Sequence, residues 1–355
     1  MRGRERISRV LAGEAVDRPP VLPIIHTGLA GVFGAPLGCF FTDAEVMARV
    51  IVDGYRRFGY DGVQISLGVT GEAEALGATT EQPDDGAPAL REHLLTDIAN
   101  IDNLRSRDPT TGGRMPLFFS ALEKVSRQIG SGAFILATLR GPLLIASQLR
   151  GPEEILVDML ESPEAVEQML DFAVEVALKL ARPTLTAGAH GLVLGEATCS
   201  PSFISPALYR QLVLPRHRRL IAELKRIGWR FIGLHVCGNI VAILEDLIST
   251  GTGFLDVDYQ VPVEKAIALT RNRVALRGNL DTSSVFRFGT PDKARRETEA
   301  LCRATVGARW LISSGCDIPP GTPAENIAAC IETVRATATS LGACREKTRG
   351  NHAHS

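Results

Sequence analysis

Short apolar runs rich in β-branched residues alternate with longer amphipathic stretches along most of the 355-residue chain. A parallel sheet covered by helices produces this pattern. The runs are Val21–His26, Gly62–Leu67, Ala133–Thr138, Gly191–Gly195, Arg230–His235, Gly253–Asp258, Arg273–Arg277 and Trp310–Ser314. Eight strands, each followed by a helix, predict an α/β fold of the (β/α)8 TIM-barrel type. Helix starts are marked repeatedly by a cap residue ahead of a proline or an acidic residue: Thr42-Asp43-Ala44-Glu45, Ser162-Pro163-Glu164, Ser205-Pro206, Thr290-Pro291-Asp292 and Thr322-Pro323-Ala324-Glu325.

The stretch from about 72 to 132 is too long for one connection. It carries the turn-rich patch Gln82-Pro83-Asp84-Asp85-Gly86-Ala87-Pro88, so an insertion decorating the barrel is expected after the second strand. Residues 1–342 then form a single barrel domain, and the polar residues 343–355 form a disordered tail in which His352 and His354 belong to a frayed terminus.

Apolar residues make up 45% and charged residues 22% of the chain, with a formal net charge of −1, the balance of a soluble globular protein. No block of like charge asks for nucleic acid. The mildly basic run Arg216-His217-Arg218-Arg219 is read as a solvated helix face, opposite Leu220, Leu224 and Ile227. The charged start, Met1 to Arg9, has no apolar stretch behind it, and no run approaches about 20 apolar residues, so no membrane span and a cytoplasmic location are expected. Seven cysteines in such a chain point to thiols and metal ligands rather than to disulfides.

Reactive residues of a (β/α)8 barrel gather at the C-terminal ends of its strands. The fifth expected strand ends in Leu234-His235-Val236-Cys237-Gly238-Asn239, where alternation lets His235 and Cys237 converge on one ion. The eighth ends in Ser313-Ser314-Gly315-Cys316-Asp317 and brings Cys316 to the same rim. One histidine and two cysteines suit zinc, and three protein ligands leave a fourth position for a reactant. The fourth strand ends in Gly195-Glu196-Ala197-Thr198-Cys199, making Glu196, in preference to Cys199, a candidate fourth ligand or general base. His26 and Asn279, at the ends of the first and seventh strands, are candidate contacts to substrate or cofactor. Cys302 and Cys330 lie at apolar helical spacing and read as small core residues, whereas Cys39 sits in a loop and can be either. Dinucleotide and Walker-type phosphate fingerprints are missing.

These residues resemble the uroporphyrinogen decarboxylase superfamily and, within it, the cobalamin-dependent methyltransferases. The opening Arg6-Ile7-Ser8-Arg9-Val10-Leu11-Ala12-Gly13-Glu14-Ala15-Val16-Asp17-Arg18-Pro19-Pro20 is similar to the superfamily's start. So are Ser205-Pro206-Ala207-Leu208-Tyr209-Arg210-Gln211-Leu212-Val213-Leu214-Pro215 and Gly278-Asn279-Leu280-Asp281, and the likeness runs from about residue 3 to 340. Decarboxylases of the superfamily carry basic residues after the first strand, where this chain reads His26-Thr27-Gly28-Leu29-Ala30-Gly31. The methyltransferase branch shows a His-x-Cys and a distant Cys, matched by His235, Cys237 and Cys316, and an acidic residue at the place of Glu196. The segment Ser66-Leu67-Gly68-Val69-Thr70-Gly71-Glu72-Ala73-Glu74-Ala75-Leu76-Gly77 is also similar to that branch.

The resemblance implies methyl transfer between a small molecule and a corrinoid (cobalamin) cofactor carried by a partner protein, because the chain has no corrinoid-binding Asp-x-His-x-x-Gly element of its own. The small molecule is a thiol acceptor or a donor such as a methyl ether, and the ligand motif does not choose the direction. An apolar barrel mouth that docks a corrinoid protein is also expected. Three other readings compete: a porphyrinogen-type decarboxylase, a zinc-dependent thiol alkyltransferase without cobalamin, and a non-catalytic corrinoid-binding or chaperone role.

Overall fold

The computed structural model describes the backbone of residues 1–351 and the side chains of residues 1–337. Seven parallel strands form one curled sheet in chain order: β1 (Gly62–Ile65), β2 (Phe134–Arg140), β3 (Gly191–Gly195), β4 (Ile232–His235), β5 (Phe254–Val257), β6 (Ala275–Leu280) and β7 (Trp310–Ser314). Each lies within three residues at either end of an expected strand.

The first expected strand, Val21–His26, is the exception. Only Val21 bridges to Ile312, yet the segment closes the barrel between β7 and β1. Leu22 N–H donates to Ile312 O, Ile312 N–H to Pro20 O, and Asp61 N–H to Val21 O. Pro19, Pro20 and Pro23 have no amide hydrogen to give, so this eighth stave pairs without building a regular ladder.

The helices begin where the cap signals put them. The Asp43 side chain accepts from the amides of Glu45 and Val46 to open Ala44–Phe58, and Ser205 and Thr290 cap the helices Pro206–Leu208 and Pro291–Ala304. Of the stretch expected as decoration, residues up to 114 hold the short helix Gly71–Ala75, a two-stranded hairpin and a 3-10 segment. Met115–Ile129 is the helix before β2, packed on Ala44–Phe58. The final helix runs Ala324–Asn351 in its backbone, and the expected tail residues His352 and His354 lie outside the described residues.

Period-two alternation sorts the strand side chains between the barrel interior and the helical layer. Phe134, Leu136, Val193, Phe254, Ala275, Leu311 and Leu22 fill the lower interior, and Ile7, Val10 and Leu11 of the helix Gly3–Ala12 join that cluster from below. Gly233 has to be glycine there, since a Cβ would overlap the Phe254 ring. Arg6 and Arg18 both bind the Asp61 carboxylate, fixing the helix Gly3–Ala12 and the segment after it to the start of β1. Higher up, the inward set turns polar: Gln64, Ser66, Thr138, Arg140, His235, Asp256 and Arg277. The polar inward groups therefore gather toward the C-terminal mouth.

Candidate metal and active site

His235 ends β4, and parallel register sets it beside Gly195, an inward position. Its Nδ1–H donates to Asp256 Oδ2 at 2.9 Å, which leaves Nε2 facing two sulfurs. Cys237 Sγ is 3.4 Å and Cys316 Sγ 3.9 Å from Nε2, and the three donor atoms lie within 4.8 Å of one another. Tetrahedral zinc with its usual bond lengths separates a nitrogen from a sulfur ligand by about 3.6 Å. The two distances bracket that value, so the residues present fit the ion.

Electrostatics around the group follow from contact and burial. A hydrogen bond from Cys237 is the largest influence on Cys316, and with His235 it overrides burial to hold the thiol down at about 4. The same bond, reinforced by burial, pushes the Cys237 thiol far up. Burial acts to lower His235, but Asp256 and Cys316 outweigh it and raise the imidazole to about 9. Cys316 is thus the ready thiolate, and Cys237 and the Nε2 of His235 must each lose a proton to any cation that enters.

Sequence reasoning missed the support behind His235. Asp256 is 1% exposed and also accepts from Arg277 Nε at 2.7 Å and from its Nη2. Arg277 Nη1 in turn donates to Gln64 Oε1 at 2.6 Å. An acid on β5 in register with the histidine was the available signal.

Glu196 is not brought to the triad. It follows inward-facing Gly195 and so points outward, where its carboxylate accepts from Leu143 N–H at 3.2 Å, Leu144 N–H at 2.8 Å and His217 Nε2–H at 2.7 Å. It caps the helix Pro142–Arg150 from a completely buried position. Cys199 is buried beside Glu196 and His217 in this second group, and burial followed by the Glu196 charge raises its thiol.

His217 corrects the reading of a solvated basic face. It is fully buried, with Tyr209 Oη 3.0 Å from Nδ1. The signal was in the spacing, because 217, 220 and 224 follow one helical stripe and His217 shares the inner face of Leu220 and Leu224. Arg216 is paired with Glu167 and Asp171.

His26 lies at the start of the helix Thr27–Val32, with Nδ1 3.2 Å from Asp317 Oδ1 and with Nε2 buried and unpartnered. Its main-chain N–H also donates to Asp317 Oδ1 at 2.9 Å, so His26 is tied to the residue that follows Cys316. Asn279 is held by the backbone, its Nδ2 donating to Val261 O at 2.9 Å. Cys302 and Cys330 are buried, as expected, and Cys39 is exposed. Among the described residues no helix is long and apolar enough to cross a membrane.

A mouth-facing donor set on a parallel α/β barrel defines the class, and comparison with known proteins supplies the family. The uroporphyrinogen decarboxylase (URO-D) model matches residues 2–337, and the chain belongs to that family. It is 25% identical over 337 residues to the methylcobamide:CoM methyltransferase MtbA of Methanosarcina mazei, covering 94% of this chain and 97% of the relative. A uroporphyrinogen decarboxylase of Synechococcus sp. is 22% identical over 350 residues, 94% of this chain and 97% of its own. A solved methyltransferase structure from Methanosarcina mazei superposes with a TM-score of 0.88 at 25% identity, covering 95% of this chain and 99% of that one.

Proposed function

We propose that this chain is a zinc-dependent methyltransferase that moves a methyl group between the corrinoid of a partner protein and a small-molecule thiol, with His235, Cys237 and Cys316 as the metal ligands. The convergence of three soft donors at the barrel mouth, with Asp256 fixing the imidazole, carries the reading. The thiol as acceptor is favoured by relatives named methylcobamide:CoM methyltransferase and methylated-thiol–coenzyme M methyltransferase. Zinc would supply the Lewis acidity that keeps such a thiol deprotonated near neutral pH.

The chain's own residues do the positioning. Asp256 and Arg277 hold the His235 ring so that Nε2 faces the sulfurs, and Asp258 Oδ2 accepts the Gly238 amide at 3.1 Å to fix the turn beyond Cys237. Around the mouth, Val69, Phe203, Tyr259 and Phe288 are exposed on loops that follow β1, β3, β5 and β6. Apolar side chains on this rim suit a broad, water-excluding partner such as a corrinoid domain. His26 and Asn279 stay candidate contacts to the bound reactants. Glu196 serves as a buried anchor behind the site.

The test is metal analysis joined to a visible-absorbance assay of methylcobalamin loss in the presence of 2-mercaptoethanesulfonate, with the methyl thioether identified by mass spectrometry. One zinc per chain and matched loss and product are expected. Zinc without transfer to or from free or protein-borne corrinoid would refute the activity and leave the site standing. Transfer to the thiol from a methyl donor other than a corrinoid would favour the cobalamin-free alternative.

A further inference from the structure

We propose that Arg140 binds an anionic headgroup, a sulfonate or carboxylate, on the small molecule handled at the His235, Cys237 and Cys316 centre; this rests on the reading of that centre as a thiol site.

Three arginines are buried among the described residues: Arg6, Arg140 and Arg277. Two of them are paired, Arg6 with Asp17 and Asp61, and Arg277 with Asp256. Arg140, 9% exposed, has no carboxylate within ion-pair distance of its guanidinium among the described residues. Its Nη2 donates to the neutral Ser66 Oγ at 2.6 Å, and its Nε has no partner at all. The Glu72 carboxylate is engaged by the Arg140 backbone amide at 2.7 Å instead of by the side chain. Burying a cation with no ion-pair partner is costly in a protein interior, and an orphaned charged donor adds to that cost. Such a group is kept where a ligand brings the missing charge.

Its position says which ligand. Arg140 ends β2 with the parity of Leu136 and Thr138, so the guanidinium enters the barrel interior at the mouth. Gly195 leaves the room, since a Cβ there would overlap Arg140 Nη1. Gly195 is the register partner of His235, which puts the guanidinium one strand from the imidazole of the triad. Glu72 first, then Cys237, Asp317 and Cys316, are close enough to act on its charge, yet none of them forms an ion pair with the guanidinium and neither sulfur accepts a hydrogen bond from it. An anion seated on Arg140 therefore occupies the same chamber as a sulfur arriving at the triad.

Isothermal titration of the zinc-loaded protein with 2-mercaptoethanesulfonate, 3-mercaptopropionate and neutral 2-mercaptoethanol tests this. Wild type is expected to bind the anionic thiols about 10- to 100-fold tighter than the neutral one, the worth of a charged hydrogen-bonded contact. In Arg140→Met all three should bind with the neutral thiol's affinity, and Arg140→Lys should keep part of the preference. Sulfur-free ethanesulfonate separates the two layers of the reading. If it binds wild type and not Arg140→Met while no thiol gains from the metal, the arginine's role stands and the thiol reading fails. A preference that survives in Arg140→Met, or a wild type with none, overturns the proposal. So does an Arg140→Met protein that loses zinc while keeping its preference, because the arginine then serves the metal centre.

Discussion

Glu196→Gln separates a metal ligand from a helix anchor, because the two roles predict opposite results. The carboxylate receives three hydrogen bonds, two from the first-turn amides of Pro142–Arg150 and one from His217, and it is completely buried. Hydrogen bonds to a charged acceptor contribute about 1.5–3 kcal/mol each, and an unsatisfied buried donor costs about 1–3 kcal/mol. Glutamine keeps one acceptor oxygen but turns an NH2 group toward at least one of the three donors. The expected loss is therefore about 2–4 kcal/mol, out of a total stability of about 5–15 kcal/mol. The assay is the urea midpoint of variant and wild type, with zinc content read by elemental analysis on the same samples. A lower midpoint with full zinc is the expected result. An unchanged midpoint with zinc lost would refute the outward placement of the carboxylate and restore Glu196 as a ligand.

Cys316→Ser should give the reverse, a chain purified without stoichiometric zinc whose metal-free melting temperature matches that of the metal-free parent. Retention of one zinc per chain would contradict the triad. Asp256→Asn should weaken zinc binding by about 10- to 100-fold, as removal of an orienting carboxylate does, measured by competition with a chelating indicator. Unchanged affinity would show that Asp256 serves Arg277 alone. His190 Nδ1 accepts the Ile135 amide at 3.0 Å, and burial, with Arg4 as the lesser cause, holds the imidazole down at about 4. The unfolded chain takes up the proton first as pH falls, so this stabilisation is complete above the unfolded value near 6.5 and is lost between there and about 4. His190→Asn should flatten the fall in urea midpoint between pH 7 and pH 4.5, and parallel curves for variant and parent would contradict it. The double substitution Phe203→Ser and Phe288→Ser should raise the KM for a protein-borne corrinoid and leave the rate with free methylcobalamin unchanged. Equal effects on both substrates would remove the rim from docking.

Much of the barrel was legible because β-branched runs bounded by turn residues occur at a spacing that only alternating helices fill. The stave at 21–26 was legible as an apolar run but not as an irregular one. Pro23 within it and Pro19 and Pro20 just ahead of it withhold donors a ladder needs, and the barrel closes through the bonds of Leu22, Ile312 and Asp61 instead. Met115–Ile129 was read as part of an insertion because the hairpin and 3-10 segment ahead of it hide the break between decoration and barrel helix.

The site was legible where one strand carries the signal and obscure where two elements share it. His235 and Cys237 announce themselves by alternation, and Cys316 by its place after the last strand. Asp256 and Arg140 do not, because their meaning depends on the register with β4 and β3, which a single sequence does not display. Glu196 shows how sharp that dependence is. Gly195 faces the chamber and Glu196, one residue on, faces the helices, so a carboxylate at the right strand end still lies on the wrong side of the sheet to join His235, Cys237 and Cys316. The same one-residue rule puts the unpaired guanidinium of Arg140 inside, in the space that the missing Cβ of Gly195 leaves open. Alternation along the strands thus divides the mouth into an inner set able to meet a metal and an anionic reactant and an outer set, Glu196, His217 and Tyr209, that fixes the helix behind it.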